Sequence, residues 1–279
     1  MKIKLPNIKV GLIGAGTMGS IFVKRLLESN TIATSQIFIN DKFLEKAKAL
    51  ASSHKVKVIG DKQELTEISD ILILAVKPQD FKGLTEEIKS NIGKKEILII
   101  SIMAGVGVKI IQQLLRCKMV VRAMPNMPSQ IDQGITVWLA SPEVVQNNKK
   151  RVEIILQALG QAIETNQERY LDMATAVSGS GPAYVFLFQE LFIKAAKRLG
   201  LPRNLADKLV LGTIQGAVDL QRQTQTNPEI LRKKVTSKGG TTEQALKVFA
   251  SRETAKTFQL AVKAAFDKSQ ALKNNFLPK

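Results

Sequence analysis

The sequence predicts an α/β domain with a largely parallel sheet over residues 1–165, followed by an all-α domain over residues 166–279. Three observations carry this prediction. Short β-type runs alternate with helical patterns up to about Thr165, the order expected of strands joined by crossover helices. The first strand-to-helix junction is a glycine-rich turn, "VGLIGAGTMGS". After Gln167 the β-type runs stop and only helical patterns follow.

Candidate strands are Lys9–Ile13, Gln36–Ile39, Val56–Val58, Ile71–Ala75, Ile97–Ser101, Met119–Ala123, Ile135–Leu139 and Gln161–Thr165. Helical patterns such as Thr17–Ser29 and Phe43–Ser52 lie between them. Ser141-Pro142 has the form of a helix start and Gly160 that of a stop. In the second half, helices are expected over Pro182–Leu199, Pro202–Gln225, Pro228–Val235, Thr241–Ala250 and Glu253–Leu272. Pro182 and Pro202 sit at first-turn positions, and Gly200 ends the helix before Pro202. The final "KNNFLPK" is expected to fray.

At 279 residues, 44% hydrophobic and 23% charged, the chain has room for two domains and a sizeable core. Cys117 is the single cysteine, which excludes an internal disulfide and suits a reducing, cytoplasmic setting. The basic start "MKIKLPNIKVGLIGAG" is broken by Pro6 and Lys9 and does not read as a secretory signal. The longest uncharged apolar run, Ile97 to Val108, has 12 residues, too few to span a bilayer. The net charge of +17 favours anionic partners. Its basic residues are scattered through helical patterns, and two Tyr and one Trp offer little base stacking, which argues against a dedicated nucleic-acid module.

Gly14, Gly16 and Gly19 form G-x-G-x-x-G between a β-type run and a helical one. That context suits dinucleotide binding: a tight turn at Gly14, close approach of pyrophosphate at Gly16, and helix–strand packing at Gly19. The end of the second strand reads Asn40-Asp41-Lys42. A neutral residue with a lysine beside it leans to NADPH, whereas an acid there would hold the ribose of NADH; the residues leave the preference open. Three further loops follow strand ends: "AVKPQ" (Ala75 to Gln79), "SIMAGV" (Ser101 to Val106) and "RAMPNMP", where Asn126 stands between two prolines. Singly, each is also explained as turn chemistry.

The helical half carries two glycine- and hydroxyl-rich helix starts. One is "SGSGP", Ser178 to Pro182; the other is "TSKGGTTEQ", Thr236 to Gln244. Thr241 to Gln244 fits a threonine-x-x-glutamine capping box. A helix opening just after two glycines presents N–H donors and its positive dipole end to an anion. The single histidine, His54, lies in the first domain outside these loops. The motif loops offer no histidine as a general acid, so the chemistry should need little proton transfer from the protein.

Taken in order, "GLIGAGTMG", "AVKPQ", "SIMAGV", "RAMPNMP", "SGSGPAY" and "VTSKGGTT" resemble the pyrroline-5-carboxylate reductase family over nearly the whole chain. The resemblance implies a Rossmann-type dinucleotide-binding domain followed by an all-α dimerisation domain that interleaves with its partner, with decamers common. It implies NADPH, or alternatively NADH, as hydride donor and a small cyclic imino acid, 1-pyrroline-5-carboxylate, as substrate. Ile13, Gly14, Ala15, Gly16, Thr17, Met18, Ala75, Val76, Lys77, Pro78, Ile102, Met103 and Ala104 would line the cofactor site, with Asn126 near the nicotinamide. Ser237, Gly240, Thr241 and Thr242 match the substrate-carboxylate loop, and Glu168 matches a glutamate ahead of "SGSGPAY" that could serve the partner's site. Thr242 is expected to orient the imine nitrogen. Lys238 stands where the family usually has proline, Met127 where threonine is common, and Lys234 where many relatives carry another polar residue.

Two other readings compete. A β-hydroxyacid dehydrogenase needs an acid–base lysine near the start of the second domain's first helix, but Lys194 lies 12 residues past Pro182, about three turns along. A non-catalytic nucleotide-binding protein would not need the second-domain motifs.

Overall fold

The computed structural model describes residues 4–92 and 96–276. The chain divides into two compact units, Met1–Ser180 with Ala265–Lys279, and Gly181–Ala264. The second compact unit begins at Gly181, after the change from β-type to helical pattern at 165/166, since the first helical turns beyond that change belong to the first unit.

The first unit is an eight-stranded sheet of order β3-β2-β1-β4-β5-β6-β7-β8. Its strands are β1 (Val10–Ile13), β2 (Ile37–Asn40), β3 (Lys57–Val58), β4 (Ile71–Leu74), β5 (Leu98–Ser101), β6 (Val120–Met124), β7 (Gly134–Ala140) and β8 (Gly160–Glu164). Every pairing is parallel except β6 with β7. β1, β2, β4 and β5 are buried at every residue, as expected of strands covered on both faces, and they read as continuous Ile/Leu/Val runs for that reason. Helices α1 (Thr17–Glu28), α2 (Leu44–His54), α3 (Lys62–Ile68), α4 (Pro78–Ile92), α5 (Val108–Leu115), α6 (Gln146–Gln157) and α7 (Arg169–Ala174) belong to this unit. The order reverses between β1 and β4, so the loops after these two strands open the crevice where ligands of such sheets bind.

Ser141-Pro142 does not open a helix. The Ser141 hydroxyl donates to Lys118 O at 2.9 Å and accepts the Val120 N–H at 3.3 Å, so it ties two strands together and α6 starts at Gln146. Gly160 is not the helix stop either; at φ +127° it opens β8, where a Cβ would lie 2.2 Å from Gly134 O.

The second unit contains α8 (Gly181–Arg198), α9 (Arg203–Thr224), α10 (Pro228–Lys234), α11 (Thr241–Ser251) and the first part of α12 (Thr254–Lys273). Tyr184 and Phe258 meet edge to face, with centroids 6.3 Å apart. Among its described residues, the buried apolar side chains are Ala196, Ala206 and Val210, while Phe186, Phe188, Leu191, Leu209 and Phe258 are exposed. The last residues of α12 return to the first unit. There "KNNF" does not fray: Asn274–Phe276 forms a 3₁₀ turn, and the Phe276 ring packs edge-on to Phe81 at 6.1 Å. Leu277 to Lys279 lie outside the described residues. No helix among the described residues is long and apolar enough to cross a membrane.

Candidate active site

The three glycines of the first turn do three different things. Gly14 has φ +109°, and a Cβ there would lie 2.6 Å from Ala75 O, so the turn after β1 is pressed against the loop after β4. Gly19 lets α1 sit down on that turn, since its Cβ would be 1.9 Å from Gly14 O. A Cβ on Gly16 would meet nothing within 4 Å; the backbone is open there. Gly16 is also the N-cap of α1, with no side-chain cap and no acidic residue in the first turn. The N–H groups at Thr17 and Met18 and the positive helix end therefore suit a diphosphate.

Ala15 serves the turn itself. Its N–H donates to Asp41 Oδ2 at 2.6 Å, and Asp41 Oδ1 accepts the Phe43 N–H at 2.8 Å. Asn40 is buried, its side-chain amide donating to the carbonyls of Ile59 and Gly60 at 2.7 and 3.0 Å, while its backbone carbonyl accepts the Gly14 N–H at 2.9 Å. Lys42 is the exposed group at this strand end, 72% accessible and 3.5 Å from Asp80. Asp41 is thus engaged in bracing the glycine turn, and Lys42 is the cation available to a 2′-phosphate, which favours NADPH.

Ala75 N–H donates to Ile13 O at 2.8 Å and Ile102 N–H to Leu74 O at 3.1 Å, so both loops leave the carboxyl ends of adjacent parallel strands. Val76 and Lys77 follow, and Pro78 opens α4. Ile13 and Met103 have core side chains, each 2% exposed, and offer a ligand only backbone. Ala104 is partly exposed. Asn126 uses both ends of its amide within the unit: Nδ2 donates to Ser178 O at 3.2 Å and Oδ1 accepts the Ile135 N–H at 3.0 Å. It pins the turn between Pro125 and Pro128.

Glu168 sits at the N-cap of α7. Its Oε1 accepts the Val108 N–H at 2.8 Å and Arg122 Nη1 at 3.2 Å. Arg122, buried in β6, also donates from Nη2 to Asp172 Oδ1 at 2.8 Å. The sequence reading passed over Arg122, whose signal was an arginine inside the apolar run "VVRAM". Such a charge is buried only when it is paired.

Ser178 and Ser180 are not free donors at an open helix start. Residues Thr175–Gly179 form a π-turn that carries α7 into α8. The Ser178 hydroxyl donates to Ala174 O at 2.9 Å and the Ser180 hydroxyl to Thr175 O at 3.1 Å. Gly179 lies against the Met124 side chain, its Cβ position 2.9 Å from Met124 Cε.

In the helical unit the cap of α11 lies one residue earlier than the threonine-x-x-glutamine pattern suggests. Gly240 is the N-cap and makes no side-chain cap bond, while Glu243 reaches back to accept the Gly239 N–H at 2.6 Å. Gly239 has φ +73°, and a Cβ on Gly240 would be 2.4 Å from Ser237 Oγ. The loop is therefore braced by Ser237 and Glu243, and the N–H groups opening α11 at Thr241 and Thr242 are left to an external acceptor. Lys194 pairs with Glu190 on exposed α8, an ordinary surface ion pair.

The doubly wound sheet, its glycine turn and the uncapped start of α1 define a dinucleotide-dependent oxidoreductase with an added helical domain. Residues 168–272 match the model for the pyrroline-5-carboxylate reductase dimerisation domain, and residues 9–105 match a model described as NADP oxidoreductase, coenzyme F420-dependent. A pyrroline-5-carboxylate reductase of Synechocystis is 35% identical over 95% of this chain and 98% of its own length. The solved structure of Plasmodium falciparum pyrroline carboxylate reductase with NADP bound has a TM-score of 0.86 at 31% identity, covering 96% of this chain and 99% of that one. The Coxiella burnetii enzyme superposes with a TM-score of 0.84 at 34% identity, covering 95% and 98%. This chain belongs to the pyrroline-5-carboxylate reductase family.

Proposed function

We propose that this protein reduces 1-pyrroline-5-carboxylate to L-proline, the last step of proline biosynthesis, with NADPH as the hydride donor. Beyond the family, the observation that carries this is the start of α11, a braced loop whose helix N–H groups lack a side-chain cap. The substrate's carboxylate takes the N–H groups at Thr241 and Thr242, beside Ser237 and Gly240. Lys238 adds a nearby cation.

NADPH supplies a hydride to the imine carbon when bound. The residues suited to hold it are the Gly14–Met18 turn, Ala75–Pro78, Ile102–Ala104, the strand end at Asn40–Lys42 and the Asn126 turn. The protein's own part is orientation: Thr242 Oγ hydrogen-bonds the ring nitrogen, and a pre-protonated imine needs no further acid. That fits a site without histidine. The exposed apolar face of the helical unit is covered by a second copy in an interleaved dimer, with decamers as a further level. The single cysteine, buried at 9% exposure, fits a cytoplasmic enzyme.

The test is product analysis with NADPH deuterated at the transferable position. Proline carrying one deuterium on the former imine carbon is expected; unlabelled proline, or none, overturns the assignment.

A further inference from the structure

The end of α12 and the buried charges beneath it are not explained by the reaction itself. Asp172 is 0% exposed. Its Oδ1 accepts from Arg122, while its Oδ2 accepts from Gln270 at 2.9 Å and from Lys273. Two positive and two negative side chains, Arg122, Lys273, Asp172 and Glu168, thus form one connected relay. It ends at the Val108 N–H, the first residue of α5. The same helix end also touches the loop before α5 directly. Gly105 has φ +74°, and a Cβ there would lie 2.4 Å from Leu272 Cβ and 3.0 Å from Ser269 O. The segment between Ile102 and Val108 is therefore held at two points by one helical turn: at Gly105 by contact, and at Val108 through Asp172, Arg122 and Glu168. Gly107 adds closeness to the second point, since its Cβ would be 3.2 Å from Glu168 Oε1.

We propose that the last turns of α12, through Leu272 and Lys273 and the relay of Asp172, Arg122 and Glu168, position the 102–108 loop for the nicotinamide cofactor. Lys273 and Glu168 are thereby positioning residues for cofactor binding, and the C-terminal turn is a working part of the dinucleotide site. A buried ion pair broken on one side leaves an uncompensated charge. Losing Lys273 therefore loosens Asp172 and Arg122, and the disturbance arrives at the loop. The proposal rests on the reading that Ile102 to Ala104 line the cofactor site.

The experiment compares Lys273→Met, Lys273→Arg, Glu168→Gln and, as a direct probe of the loop, Ala104→Asp. For each variant, NADPH affinity is measured by cofactor fluorescence, KM and kcat by steady-state kinetics, and folding by thermal melting. Lys273→Met and Glu168→Gln should weaken NADPH binding by about fivefold, the size of effect transmitted through such networks. In Lys273→Met the KM for the imine should stay within about twofold, and Lys273→Arg should restore most of the loss. Unchanged NADPH affinity in a Lys273→Met protein that merely melts earlier overturns the proposal, as does a rise confined to the KM of the imine. If Ala104→Asp also leaves NADPH binding untouched, the loop is not part of the cofactor site and the underlying reading fails. If Ala104→Asp weakens binding while Lys273→Met does not, only the relay fails.

Discussion

At the scale of single residues, Gly14 and Gly19 are each fixed by a backbone oxygen that a side chain would strike, whereas Gly16 leaves the backbone of the turn open. Gly19→Ala places a Cβ 1.9 Å from a backbone oxygen. It should cost about 2–4 kcal/mol through displacement of α1, read as a lowered melting temperature with NADPH binding lost. Cys117 gives a second prediction. Burial pushes its thiol up to about 12 from 9.0. Above pH 9 the unfolded chain releases this proton while the folded one keeps it, so stability falls between pH 9 and 12. The slope from this group is at most about 1.4 kcal/mol per pH unit. Denaturant unfolding from pH 8.5 to 10.5 should show a shallower decline in Cys117→Ala than in the wild type; equal slopes would contradict the assignment. Which of the adjacent charges Asp41 and Lys42 is engaged within the fold was not legible in sequence, since it depended on a hydrogen bond to Asp41 from Ala15, 26 positions away.

At the scale of elements, β1, β2, β4 and β5 were legible because doubly covered strands are continuous apolar runs, and all eight expected runs form strands of one sheet. The errors fall where a side chain is already engaged by another group of the fold, near or far in sequence. Ser141 has the chemistry of a cap but binds Lys118 and Val120. Ser178 and Ser180 look like helix-start donors but turn back onto a π-turn. At α11 the local rule was right in kind and displaced by one residue, since Glu243 braces Gly239 and leaves the helix start open. Glu243→Ala removes that brace. It should raise KM for the imine by about three- to tenfold, near the 1 kcal/mol typical of a lost cap bond, with a smaller change in the KM for NADPH. Steady-state kinetics at saturating cofactor would show this, and an unchanged imine KM would argue that the loop does not seat the substrate.

At the scale of the whole molecule, a helical unit with three buried apolar residues among those described, Ala196, Ala206 and Val210, has too little core to stand alone. Its exposed Phe186, Phe188, Leu191 and Leu209 need a covering surface. Phe188→Lys should therefore shift the protein from dimer or larger to monomer or aggregate in sedimentation velocity; an unaltered assembly would place the interface elsewhere. The reaction is measured most directly as the loss of absorbance of NADPH, and separately of NADH, on adding 1-pyrroline-5-carboxylate to the wild type and to Thr242→Ala. Rapid oxidation with NADPH favoured is expected, and kcat/KM lower by about tenfold or more in the variant, the equivalent of one orienting hydrogen bond. Oxidation of neither cofactor by protein shown to bind them would contradict it.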